Sequence, residues 1–114
     1  MGTKITEKVE YKTVNDTDLN ILSVLDDIIE TYKKENNRIA IGIAEDNPET
    51  VLEKFSAWDK LTVVFRIKTL YMLNIIEFWM IDEHWKIYAD KAVTEEFDLT
   101  FEKEKYLYIL SVQK

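Results

Sequence analysis

Apolar and polar side chains alternate at the start of the chain: Ile5, Val9 and Tyr11 against Lys8, Glu10 and Lys12, the two-residue period of a half-buried strand running to Val14. From Leu19 the period lengthens. Ile21, Leu22, Leu25, Ile28, Ile29 and Tyr32 fall on one side of a helix, with Asp26, Asp27 and Glu30 on the other. This helix is placed over 16–36, opened by the turn Asn15-Asp16-Thr17 and closed by Asn36-Asn37, since Asn tolerates a left-handed closing residue. Residues 38–44 read as a strand with Ile39, Ile41 and Ile43 on one side and Ala40, Gly42 and Ala44 on the other. The small side admits a closely packed helix, so both faces are expected to be covered. Asn47 as N-cap and Pro48 at the first helical position, where its missing N–H costs nothing, open a helix over 48–57 that buries Val51, Leu52 and Phe55.

The longest apolar segment, 61–88, supports two assignments. As a strand it sends Leu61, Val63, Phe65 and Ile67 one way and Thr62, Arg66 and Lys68 the other; as a helix it lines up Val63, Ile67 and Leu70 in one buried stripe. It does not read as a membrane span. Arg66, Lys68 and Glu77 would sit deep in hydrocarbon, at roughly 2.5 to 3.5 kcal/mol for each central charge. Beyond it, residues 97–101 and 106–112 alternate as a hairpin around Glu102-Lys103-Glu104-Lys105.

Within 48–89, Leu52, Trp58, Asp59, Thr62, Val63, Ile67, Leu70, Asn74, Ile75 and Ile76 resemble the helix-turn-helix and following strand of a winged helix-turn-helix domain. The resemblance implies a recognition helix over 59–73, capped by Asp59 and closed by Asn74, and a wing over 76–89 with Asp82, Glu83 and His84 at its tip. It also implies DNA contacts from Lys60, Arg66 and Lys68. Val64, Phe65 and Met72 stand at helix positions that meet DNA in that family, where apolar side chains suit a protein partner better.

Charge bears on that choice. Twenty-two acidic residues against 15 Lys and Arg give a formal net charge of −7, and the basic residues are dispersed. Phosphate binding draws its affinity from clustered cations, so nucleic acid is the less favoured partner and a basic protein surface the more favoured. Catalytic groups are scarce. With no cysteine and His84 as the single histidine, neither a thiol nucleophile nor a multi-histidine metal site can be assembled in one chain. Gly2 and Gly42 are the only glycines, which leaves no phosphate-cradling loop. The adjacent carboxylate pairs, such as Asp26-Asp27 and Asp82-Glu83, are solvated surface and do not face each other across a cleft.

These readings give an α+β fold as a single domain over 1–114. It has a winged-helix-like core, an N-terminal strand and a C-terminal β-hairpin; the alternative is an antiparallel sheet of five or six strands backed by two helices. At this length about two thirds of the unfolded surface can be buried. The expected function is a non-enzymatic acidic protein-binding domain that occludes or bridges a partner, of inhibitor, immunity or anti-defence type, through Val64, Phe65, Met72, Asp82, Glu83 and Trp85. A winged-helix DNA-binding regulator and a small-molecule sensor are the alternatives. No cofactor or metal and no membrane is expected, a homodimer stays open, and the lack of a visible secretory signal points to the cytoplasm.

Overall fold

The computed structural model describes residues 8–12, 21–55, 57–80 and 103–114. In chain order these form β1 (Val9–Tyr11), α1 (Ile21–Glu35), β2 (Asn36–Ala44), α2 (Pro48–Lys54), β3 (Lys60–Ile67), α3 (Leu70–Trp79) and β4 (Lys105–Gln113). The class is α+β. Four strands make one sheet in the order β1-β3-β4-β2. It is mixed, with β1 parallel to β3 while β4 runs antiparallel to both β3 and β2.

The helices take the faces that connection rules assign them. β1, β2 and β3 point the same way, and the β1–α1–β2 crossover traverses the sheet in the direction opposite to β2–α2–β3. Crossovers of one hand that travel in opposite directions must place their helices on opposite faces. Accordingly, α1 buries Leu25, Ile29 and Tyr32 in a first core with Ile39, Ile41, Ile43, Leu107 and Ile109. On the other face α2 buries Val51 and Leu52 in a second core with Leu61, Val63, Tyr106, Tyr108 and Leu110. α3 returns to the first face, adding Leu73, Ile76 and Trp79. Because β4 lies between β3 and β2 with a core on each side, every residue from Lys105 to Ser111 is buried.

The central segment resolves as a strand over Lys60–Ile67, and a helix begins only at Leu70, so the helical stripe of Val63, Ile67 and Leu70 does not form. The β-branched run forms β3, and Thr69 then opens α3 by accepting from the Met72 amide at 3.1 Å. The recognition helix expected over 59–73 is therefore a strand for most of its length, and residues 76–79 of the expected wing are helical; 81–89 lie outside the described residues. Asp59 and Asn74 have other duties than those expected. The Asp59 carboxylate accepts from the Gln113 amide at 2.9 Å, closing the end of the sheet rather than a helix, and Asn74 is an exposed mid-helix residue.

The alternation expected along β3 breaks at a bulge. Val63 pairs with Tyr108 and Phe65 with Leu107, leaving Val64 as an extra residue. A bulge shifts the side-chain parity beyond it. Leu61 and Val63 accordingly enter the second core, whereas Val64, Phe65 and Ile67 all enter the first.

Other boundaries correct in detail. α1 is expected over 16–36 and is described from Ile21 to Glu35; no left-handed residue closes it, since no described non-glycine residue has positive φ. Instead Asn36 begins β2 and its side-chain amide donates to the Tyr32 carbonyl at 2.9 Å, satisfying one of the carbonyls that a helix end leaves free. Asn47 and Pro48 open α2 as expected, with Asn47 Oδ1 accepting from the Glu49 amide at 2.9 Å. The helix ends at Lys54 rather than 57, because Phe55 and Trp58 turn inward to complete the second core. The small side of β2 admits more than a helix. A Cβ on Gly42 would lie 2.3 Å from Cζ of Tyr108, its cross-strand neighbour, so the missing side chain is the space that ring occupies. Of the expected C-terminal hairpin, the strand over 97–101 lies outside the described residues, and β1 makes the described sheet mixed rather than antiparallel.

Candidate functional site

α3 is the element whose sequence exceeds the needs of its packing. Leu73, Ile76 and Trp79 point into the first core, and the Trp79 indole N–H donates to Asp26 Oδ1 of α1 at 2.8 Å. The burial of these three side chains sets the rotation of α3 about its axis, and the bond secures it. At 100° per residue, Leu70, Asn74, Phe78 and Tyr71 then fall within an arc of roughly 100° on the opposite side. The three apolar members of the arc are open to solvent, Leu70 at 54%, Tyr71 at 74% and Phe78 at 71% exposure. A helix lying on a sheet ordinarily turns polar side chains outward. Here Asn74 is the one polar residue of the arc. Burying a large apolar side chain is worth about 1.5 to 3 kcal/mol, which this surface would gain by meeting an apolar partner.

Two of the polar clefts among the described residues flank the sheet. One, of about 330 Å³, is walled by Tyr11, Val63, Arg66 and Tyr106 near the start of α2. Its polar groups are engaged with one another: Lys105 Nζ with Glu45 Oε2 at 3.0 Å, Arg66 with Glu104 at 3.5 Å, and the Tyr106 hydroxyl donating to the Asp46 carbonyl at 2.6 Å. Burial, seconded by the nearby Tyr108 and Asp46, holds the Tyr106 hydroxyl protonated well above its usual range. The other cleft, of about 360 Å³, lies on the α1 face where β3 begins and β4 ends, between Lys12, Tyr32, Lys60 and Ser111. Lys60 meets Glu10 at 2.6 Å, and Lys12 stands 5.4 Å from the centre of the Tyr32 ring. The Tyr32 hydroxyl, followed by the Glu10 and Glu35 charges, holds the Lys12 ammonium above its usual pKa. Ser111 Oγ is buried without a hydrogen-bond partner, a state that costs about 1 to 3 kcal/mol. Among the described residues no three His, Asp or Glu side chains gather as a metal site would need, and no helix is long and apolar enough to cross a membrane.

The expected site residues scatter. Val64 and Phe65, expected at a partner surface, are 1% and 0% exposed and belong to the first core, because the bulge turns both toward α1 and α3. Met72 is half-buried against the same core. Asp82, Glu83 and Trp85 lie outside the described residues, as does His84. Lys60 and Arg66 lie at opposite ends of β3, about 20 Å apart at 3.3 Å per residue, and line clefts on opposite faces; no helix presents them together. Lys68 is exposed in the turn between β3 and α3. Leu70, Tyr71 and Phe78 are absent from the expected set. The signal for them is in the sequence: from Leu70 to Met80 only Asn74 and Glu77 are polar, too few to clothe an outer helix face.

Compared with known proteins, the chain matches no family model, no curated protein and no solved structure.

Proposed function

We propose that this is a non-enzymatic protein-binding domain that docks a protein of basic surface against the outer face of α3 and acts by covering or bridging that partner. The observation that carries the reading is the exposed arc of Leu70, Tyr71 and Phe78 on a helix whose opposite face is already buried. Isolated exposed apolar residues are ordinary, but three large ones, two of them aromatic, on one face of one helix have the composition of an interface core. The basic character of the partner follows from charge complementarity. The protein carries a net −7, and the neighbouring helix α1 exposes Asp27 and Glu30. Such a field accelerates encounter with a cationic surface and repels phosphate.

The test is reconstitution. A protein captured from the native host by the wild-type domain is purified, and its affinity is measured for the wild type and for Tyr71→Ser with Phe78→Ser. The reading expects a loss of about tenfold or more, since truncating a central aromatic anchor costs upwards of about 2 kcal/mol, together with slower association at high salt. Equal affinity for both proteins would refute it. Sedimentation showing a dimer that the same variant disperses would assign the face to a second copy of the chain, and binding to lipid vesicles would assign it to a membrane surface.

A further inference from the structure

The cleft at the end of the sheet holds a contradiction that the docking face does not explain. Ser111 is 1% exposed, and its hydroxyl has no hydrogen-bond partner. Buried polar groups in native proteins are nearly always satisfied, and an exception calls for a physical explanation. The environment supplies one. Lys60 is the direct cross-strand partner of Ser111, Lys12 stands on the Tyr32 wall, and Lys114 follows β4 at the rim. Against these three lysines the cleft sets Glu10 and Glu35, and Glu10 is engaged with Lys60. In a protein of net charge −7, three lysines against two glutamates leave this cleft with one positive charge in excess beside a hydroxyl able to donate.

We propose that this cleft binds the oxyanion group of a small ligand, a phosphate or a carboxylate, with Ser111 Oγ donating to it and Lys60 leaving Glu10 to meet it. Glu10 is then a competitor for Lys60. The half-buried Lys60–Glu10 pair, at 2.6 Å, holds the lysine while the cleft is empty and releases it when a stronger anion enters. The Lys60–Glu10 bond is itself charge-assisted, so the exchange gains through the hydrogen bond that the oxyanion, unlike Glu10, accepts from Ser111. Phosphate and carboxylate share this chemistry, and the test separates them.

Inorganic phosphate and acetate are titrated separately into the ¹⁵N-labelled full chain. The expected result is a saturable shift of the amides of residues 10–12, 60–62 and 111–114 with at least one of the two anions, the one that saturates identifying the group. Ser111→Ala should weaken that binding by about tenfold or more, the loss of one hydrogen bond to a charged group. The variant should fold at least as stably as the wild type, since it removes an unsatisfied hydroxyl. Glu10→Gln should tighten binding, an effect that a merely structural ion pair would not produce. Linear shifts with both anions, binding indifferent to Ser111→Ala, or weaker binding by Glu10→Gln would each overturn the proposal.

Discussion

The indole N–H of Trp79 donates to Asp26 Oδ1 at 2.8 Å, tying α3 to α1 in the rotation at which Leu73, Ile76 and Trp79 are buried. In that rotation Leu73 and Ile76 face the sheet while Tyr71 and Phe78 face outward.

Trp79→Phe removes the donor together with part of a buried ring. We expect a loss of about 2 to 4 kcal/mol, of which the hydrogen bond to the part-exposed Asp26 contributes about 1 to 2 and the space left by the smaller ring the rest. Urea denaturation at neutral pH measures it. An unchanged midpoint would mean that the bond does not hold α3.

Gly42→Ala tests the close approach in the second core. In an ordinary strand the change would be favourable, since glycine gives up more conformational freedom on folding than any other residue. Here the added Cβ meets the buried Tyr108 ring at 2.3 Å, and overpacking of this kind costs about 1 to 3 kcal/mol. Pairing it with Tyr108→Leu should recover part of the loss, and a double-mutant cycle reads the coupling.

Tyr106 sets a limit on alkaline stability. Its folded-state pKa is raised above the ordinary 10.0, mainly by burial, so the folded protein keeps a proton that the unfolded chain releases. That contribution is complete below about pH 10 and is lost as pH rises beyond it, at about 1.4 kcal/mol per pH unit for one group. Tyr106→Phe should flatten the decline between pH 10 and 11, while costing stability at neutral pH through loss of the 2.6 Å bond to the Asp46 carbonyl. Urea midpoints across that range decide the matter.

Where the chain carries its own punctuation, the fold was legible. Asn47-Pro48 marks the start of α2, and the spacing of Leu25, Ile29 and Tyr32 marks the buried stripe of α1. The central segment was not, because residues 61–67 satisfy a two-residue and a 3.6-residue period together, and the break between strand and helix is carried by Thr69 alone. Nothing around Val64 signals a bulge, neither a glycine nor a change of polarity, so the facing of Phe65 could be read only from the ladder with β4. The site suffered from the same ambiguity. A helix drawn over 59–73 puts Val64 and Phe65 on its surface and gives Phe78 to a wing; the observed boundary leaves the first two in the buried strand β3 and puts the third on the outer face of α3.

The outer face of α3 as a docking surface is tested most directly by site-specific photo-crosslinking in the cells that make the protein, with a photoreactive residue at position 78 and, as control, at Glu53 on the exposed side of α2. A docking face on α3 gives a discrete protein adduct from position 78 that disappears when Tyr71→Ser is added, and none from position 53. The same adducts from both positions, or none from position 78, would contradict it.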